Sequence, residues 1–148
     1  MNKIMKLGAV FLLGGATYAF ALTADEVKAH VMEGKAFCDQ VGVAKCVEEI
    51  GKKGGKFDKG ELYIWANDFD GVITAHPKKP IAGKNLYRYK DKAGNQLFKN
   101  FIDVVKADGK GWSDYVWAHP VTKKQTPKSS FVIGIGENQL IGAGYYKE

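Results

Sequence analysis

The sequence predicts an α+β fold built on a five-stranded antiparallel sheet, and two features of the chain indicate it. Up to about residue 53, apolar residues recur at helical spacing. Beyond that point, five segments rich in strand-forming residues lie between glycine, proline and Asp-Gly turn signals. Helices followed by strands, with no internal repeat, are typical of α+β domains with antiparallel sheets.

Residues 1–21 have the features of a secretory signal peptide. Lys3 and Lys6 form its positive start, the apolar stretch LGAVFLLGGA follows, and AFA at residues 19–21 is an A-x-A cleavage site. A retained membrane anchor is the alternative, although the apolar run is short for a bilayer span. We therefore expect one mature domain, residues 22–148, exported to the periplasm and not stably inserted in the membrane.

Two helices are predicted at the start of the mature chain. Thr23 and Glu26 form a capping box, which marks the beginning of the first helix. The segment VAKCVEEIGKK predicts a second, shorter helix. Gly42 lies between them, and we expect it to break the helix and fold the second turn back.

The bend at Gly42 bears on the two cysteines, Cys38 and Cys46. On an unbroken helix they would lie about 12 Å apart, whereas a disulfide needs Cα atoms within about 7 Å. Export to an oxidising compartment and the bend together predict a disulfide, with two buried free thiols as the alternative. No Cys or His spacing indicates zinc, and no cofactor is predicted.

Five strands are predicted, with one long insertion between the second and third. ELYIWAND and FDGVITAHP form a hairpin, and GWSDYVWAHP, KSSFVIGIG and QLIGAGYYK follow the insertion. Within the insertion, residues 77–110, QLFKNFIDVVKA predicts a short helix with an apolar inner face. Alternation along GWSDYVWAHP places Tyr115 and Trp117 on one face and Trp112 on the other, where we expect core packing.

Several familiar functional motifs are incomplete. NDFDG begins like a calcium loop, but Lys79 occupies the twelfth position, where a carboxylate is required. GIGENQ lacks the third glycine of a dinucleotide-binding fingerprint. His76 or His119 could serve as a base and Ser129 or Ser130 as a nucleophile, but no G-x-S-x-G motif supports an enzyme. Each histidine precedes a proline at a strand end, where we expect it to bond a backbone carbonyl.

The charge of the chain argues against nucleic-acid binding. The net charge is +6, and loss of Lys3 and Lys6 with the signal peptide lowers it to +4. The remaining lysines are dispersed, whereas nucleic-acid binding favours a concentrated basic stripe. Only a mild attraction for anions follows from the charge.

A series of short motifs between Phe57 and Lys147 resembles a known family. In order, they are a Leu-Tyr strand, Asp-x-x-Gly, Ala-His-Pro, Gly-Lys-Asn-Leu, a second Asp-x-x-Gly, Tyr-x-Trp and Pro-Lys-Ser-Ser. Their joint occurrence resembles a single Cache domain, the extracytoplasmic sensor module of many bacterial chemoreceptors and sensor kinases. The resemblance implies a PAS-like fold, in which a long N-terminal helix packs on a curved antiparallel sheet. The long crossing segment would cover a small ligand pocket on the opposite face.

The same resemblance implies a small organic ligand, often a short carboxylate such as acetate, propionate, pyruvate or lactate. The aromatic residues expected to wall the pocket are Tyr63, Trp65, Tyr115 and Trp117. A carboxylate in an apolar cavity needs a cation and hydrogen-bond donors. The predicted cation is Lys128, and the predicted donors are His76, Lys84 and Asn85. Core packing remains the alternative for the aromatic residues, and a solvated surface charge for the lysines.

These observations lead to a functional hypothesis. Cache sensors normally lie between two membrane spans, whereas we expect this chain to be exported as a free-standing domain. We therefore expect it to bind a small carboxylate and to pass occupancy to a membrane receptor, sensor kinase or transporter in signalling or chemotaxis. The alternatives are an interaction scaffold with no small ligand, and a small exported enzyme.

Overall fold

The computed structural model describes residues 21–147, so the predicted signal peptide lies outside the described residues apart from Ala21. No helix within this range is both long enough and apolar enough to cross a bilayer. The elements, in chain order, are α1 (Ala24–Val41), α2 (Val43–Ile50), β1 (Asp58–Lys59), β2 (Leu62–Tyr63), β3 (Trp65–Asp68), β4 (Ile73–Ala75), α3 (Leu97–Asp108), β5 (Lys110–Ala118), β6 (Gln125–Ile135) and β7 (Gln139–Tyr146).

Helices α1 and α2 have the predicted cap and break. The Thr23 hydroxyl accepts a hydrogen bond from the Glu26 N–H at 3.1 Å, and the Thr23 N–H donates to the Glu26 carboxylate at 2.9 Å. Gly42 ends α1 with a φ of 89°, a value that side-chain-bearing residues rarely adopt. The chain therefore reverses, and Cys38 and Cys46 are joined in a disulfide with their Cα atoms 4.8 Å apart.

The five-stranded sheet has the order β4-β3-β7-β6-β5, and every neighbouring pair is antiparallel. Helix α1 packs on one face against β6 and β7, while α3 packs against β5 and β6. Two hydrophobic clusters result: one beneath α1 and α2, and the other beneath α3. The structure thus confirms the predicted α+β fold, the long helix behind the sheet and the β3–β4 hairpin.

Asp91 holds the segment that crosses the α3 face of the sheet. One of its carboxylate oxygens accepts the N–H groups of Ala93 and Asn95, and the other accepts the Val116 N–H of β5 at 2.7 Å. Burial opposes ionisation of Asp91, but these hydrogen bonds outweigh it and hold its pKa below the ordinary value. The carboxylate therefore fixes residues 77–96 to the edge strand.

A second hairpin, β1–β2, was not expected from the sequence. Its strands have two residues each, which is too short for an alternating pattern to be visible. Asp58 of β1 forms an ion pair with Lys78 at 2.6 Å, so the hairpin is attached to the turn that follows β4. That attachment brings β2, and with it Tyr63, to the edge of the α3 face.

Candidate ligand-binding site

Strand β5 presents two aromatic side chains to α3. Tyr115 and Trp117 are both buried, because alternation along the strand directs them to the same face. The ring centres of Phe101 and Tyr115 lie 5.0 Å apart, and those of Phe98 and Trp117 lie 6.1 Å apart. In each pair the two ring planes are nearly perpendicular. Burial raises the pKa of Tyr115 well above its usual value, and its hydroxyl is 2.8 Å from the Ser130 hydroxyl.

Two glycines of β7 make room for the side chains on this face. A Cβ at Gly142 would lie 2.5 Å from the Trp65 ring. A Cβ at Gly144 would overlap the Ser130 hydroxyl and come within 3.0 Å of the Lys128 Cε. Gly142 and Gly144 of β7 are therefore sterically required for these side chains to pack on this face.

A small cavity lies where these elements meet. It is lined by the predicted aromatic walls and His76, together with three residues of α3: Tyr63, Trp65, His76, Leu97, Phe98, Phe101, Tyr115 and Trp117. Its volume of about 10 Å³ is close to the space that one water molecule needs. The lining side chains thus surround a common space, but they lie so close together that the space is nearly closed.

Lys128, the predicted cation, does not itself line this cavity, although its hydrogen-bond partner Tyr63 does. Lys128 is buried, with a relative exposure of 1%. Its ammonium donates to the Tyr63 hydroxyl at 3.2 Å and lies 4.5 Å and 4.8 Å from the ring centres of Tyr63 and Tyr146. Among residues 21–147, no carboxylate forms an ion pair with it. Aromatic faces stabilise an ammonium only partly, so its charge remains available to an anion.

His76 follows β4, and its tautomer is fixed by the turn that it begins. Its Nδ1 accepts the N–H groups of Lys78 and Lys79, both at 3.1 Å, which leaves the proton on Nε2. Burial, with the nearby ammonium groups of Lys128 and Lys79, lowers the pKa of His76 to about 3. The expectation that this histidine bonds a backbone carbonyl was therefore wrong, because the two N–H groups after Pro77 need an acceptor.

His119 shows the same turn chemistry in a more exposed setting. Its Nδ1 accepts the N–H groups of Val121 and Thr122, and its Nε2 lies 3.0 Å from the Glu61 carboxylate. For His119 too, no ring bond to a backbone carbonyl occurs among the described residues, and its Nδ1 acts as a structural acceptor. Both His-Pro sequences thus serve as turn-forming units, and of the two histidines only His76 lines the cavity.

Comparison with known proteins now identifies the family. The model of the Cache domain family matches residues 43–148, well over half of the chain. The chain belongs to the Cache domain family. The resemblance seen in the sequence motifs is therefore confirmed, and the matched range includes every residue of the candidate site.

Three solved structures similar to this Cache domain come from chemotaxis or chemosensory proteins. A periplasmic sensor domain of a chemotaxis protein is 27% identical, with a TM-score of 0.65 over 82% of this chain and 88% of that chain. A methyl-accepting chemotaxis protein from Vibrio parahaemolyticus is 28% identical, with a TM-score of 0.71 over 82% and 86%. A Cache chemosensory domain described for carboxylic acid recognition shares the fold at 23% identity, with a TM-score of 0.63 over 82% and 86%.

Two of the predicted donors do not reach the cavity of this Cache domain. Lys84 and Asn85 are exposed. The Asn85 amide donates to the Asp70 carbonyl and its oxygen accepts the Tyr87 N–H, so the side chain shapes the turn instead. Trp112, expected in the core, is 37% exposed because it lies on edge strand β5, where its ring packs at a steep angle against Phe131 of β6 and Tyr145 of β7.

Sequence reasoning missed other residues at the site. Leu97, Phe98 and Phe101 were predicted to face inward on α3 but were not assigned to the cavity. Tyr146 was missed as a partner of Lys128; its hydroxyl donates to the Ala118 carbonyl at 3.2 Å, which fixes its ring. Tyr146 lies opposite Lys128 in the β6–β7 register, so strand pairing was the signal that could have found it.

Proposed function

We propose that this Cache domain is an extracytoplasmic sensor that binds a small organic acid of two to four carbons. On this proposal, occupancy of the site is passed to a membrane receptor, sensor kinase or transporter in chemotaxis or a related signalling process. The observation that carries the proposal is Lys128, a buried ammonium with aromatic partners and no carboxylate partner among residues 21–147. A buried charge is costly unless it is paired, and a bound carboxylate would pair it.

The remaining groups supply what a short acid needs besides a cation. In the bound state, the Nε2–H of His76 donates to the carboxylate without adding charge, since the low pKa keeps the ring neutral. The Tyr63 hydroxyl, already bonded to Lys128, orients the ammonium. Trp117 and Tyr115 then cover the carbon chain of the acid with their rings. The carboxylic acid recognition described for one structural neighbour is in keeping with this ligand class.

A thermal-shift screen tests the proposal on the domain of residues 22–148. The panel comprises acetate, propionate, pyruvate, lactate and a set of amino acids. Small acids have few atoms, so dissociation constants of micromolar to tens of micromolar are expected. At a ligand concentration about one hundred times Kd, binding adds about 2.7 kcal/mol to the free energy of unfolding, which raises Tm by about 10 °C.

Two variants locate the binding site. Lys128→Met should abolish the shift, because the carboxylate loses its counter-charge. Lys124→Ala removes an exposed lysine four residues earlier and should leave the shift unchanged. If Lys128→Met binds the acid as well as wild type, the site is wrong. If no acid in the panel shifts the melt, the scaffold alternative replaces a sensor of small acids.

A further inference from the structure

A larger groove adjoins the cavity at Tyr63, whose side chain lines both. The groove has a volume of about 360 Å³, within the range of small-molecule sites. It runs between the β1–β2 hairpin, the turn after β4 and the turn that joins β5 to β6. Its charged lining consists of Lys53, Lys78, Lys79, Lys123 and Glu61.

Two of these charges are already paired. Lys78 is bound to the buried carboxylate of Asp58 at 2.6 Å, and Glu61 lies 3.0 Å from the Nε2 of His119. The single carboxylate of the lining is therefore directed at a histidine rather than at a lysine. Once Lys78 is paired with Asp58, three ammonium groups remain against one carboxylate that a histidine engages, and this excess gives the groove a positive potential.

The other three lysines have no carboxylate partner within residues 21–147. Lys79 lies 4.7 Å from the Trp117 ring centre, and Lys123 donates to the Pro120 carbonyl at 2.8 Å. Lys53 forms no side-chain hydrogen bond in this part of the chain. All three ammonium groups can therefore take an anion without breaking an existing ion pair.

The turn that carries Lys123 is held in place rather than loose. His119 exchanges backbone hydrogen bonds with Lys123 and Lys124, both at 2.9 Å, and its ring accepts the N–H groups of Val121 and Thr122. Lys123 has a φ of 61°, and it is the only non-glycine residue of the described range with a positive φ. A side-chain-bearing residue adopts this conformation at a cost, so the lysine is presented to the groove by a strained but well-bonded turn.

We propose that this groove is a second anion site, separate from Lys128, that binds an organic dianion. Lys53, Lys79 and Lys123 would pair with its two negative charges, since a single carboxylate would leave most of the positive potential unmatched. A dicarboxylate and a phosphate monoester share this chemistry. The inference does not require an acid at Lys128, because the lysines involved are different.

Isothermal titration calorimetry of the 22–148 domain tests it with two probes, succinate and glycerol 3-phosphate, each with and without saturating acetate. At least one probe should bind with a stoichiometry of one whether or not acetate is present. Its affinity should fall as salt is raised from low to physiological concentration, since the groove is open to solvent. Which probe binds more tightly distinguishes the dicarboxylate from the phosphate source.

The decisive variant is Lys53→Ala/Lys123→Ala, which should lower the affinity for the probe at least tenfold. The control Lys110→Ala/Lys124→Ala removes two exposed lysines outside the groove and the same total charge, and should change affinity less than threefold. Lys128→Met should also change it less than threefold. The proposal is overturned if neither probe binds, if the control weakens binding as much, or if Lys128→Met abolishes it. Acetate binding by the decisive variant reports separately on the proposed acid site.

Discussion

On the proposed function, Lys128 serves a ligand rather than the fold. Its ammonium is removed from water, and within the described part of the chain its partners are one phenol hydroxyl and two aromatic faces. Replacing a buried, poorly paired charge by an apolar side chain of similar volume is commonly neutral or stabilising. A purely structural role would give the opposite result, because the removal of a favourable interaction lowers stability.

We therefore expect the free energy of unfolding of Lys128→Met, measured without ligand, to be higher than that of wild type or at most about 1 kcal/mol lower. Urea unfolding followed by circular dichroism measures the difference. Lys124→Met, at an exposed position, is the matched control and should also be neutral. A loss of several kcal/mol for Lys128→Met alone would mean that the ammonium stabilises the fold, and the case for a ligand would fail.

His76 combines a structural acceptor, Nδ1, with a donor, Nε2–H, that has no hydrogen-bond partner among residues 21–147, and one substitution separates the two. In His76→Asn, the amide oxygen can still accept the N–H groups of Lys78 and Lys79, as asparagine does in turns, but the Nε2–H is lost. We expect a folded variant whose affinity for the acid is about tenfold lower, the loss of one charge-assisted hydrogen bond. His119→Asn makes the same change at the other His-Pro turn and should leave the affinity unchanged.

The low pKa of His76 gives this residue a defined pH dependence. Because the ring stays neutral above about pH 3, the affinity of the wild type should be flat between pH 5.5 and 8. Stability should behave differently, since the unfolded chain binds a proton near pH 6.5 that the folded chain does not. The His76 contribution to stability is thus present above pH 6.5 and declines as pH falls from 6.5 towards 3. Urea unfolding at pH 7 and 5 should show a smaller decline for His76→Asn than for wild type.

At the scale of elements, the disulfide fixes the angle between α1 and α2. It closes a loop from Cys38 to Cys46 around the reversal at Gly42. Cross-linking a loop of this size restricts the unfolded chain and contributes roughly 2–3 kcal/mol. We expect Cys38→Ser/Cys46→Ser to lose about this much and to keep the fold. Protein purified from the periplasm should show no alkylated cysteine by intact mass until reductant is added; two alkylated cysteines without reductant would contradict the prediction.

How far the sequence could predict each element depends on its length and regularity. The β3–β4 hairpin, α3 and the last three strands were predictable, since each carries a period of two or 3.6 residues or a turn signal. Alternation also assigned Tyr115 and Trp117 to the site face. Lys84 and Asn85 lie in an irregular segment where no period fixes the direction of a side chain, so their exposure could not be foreseen. The burial of Lys128 depends on strand pairing with β7, which is a long-range feature.

At the scale of the whole molecule, the two faces of the sheet differ in composition: one is an apolar core and the other contains the cavity. The face under α1 and α2 is a continuous apolar core, closed by the disulfide. The opposite face is covered by α3 and by the crossing segment of residues 77–96, and it contains the cavity, Lys128 and His76. The cavity of about 10 Å³ is several times smaller than a three-carbon acid of about six non-hydrogen atoms. We therefore expect the cover to move when such an acid binds and the α1 face to stay fixed.

Hydrogen–deuterium exchange with saturating acid tests this division. A bound acid would add buried contacts to the cover and penalise its opening, so amides of residues 77–96 and of the first turn of α3 should exchange at least threefold more slowly. The exchange rates of amides in α1 and in the centre of β7 should change little, unless those amides exchange only by global unfolding. Lys128→Met with the same acid is the control and should show no slowing, because it no longer binds. The acid used must raise the Tm of wild type and not that of Lys128→Met. If such an acid slows exchange equally on both faces, the domain responds as one rigid unit and a moving cover is ruled out.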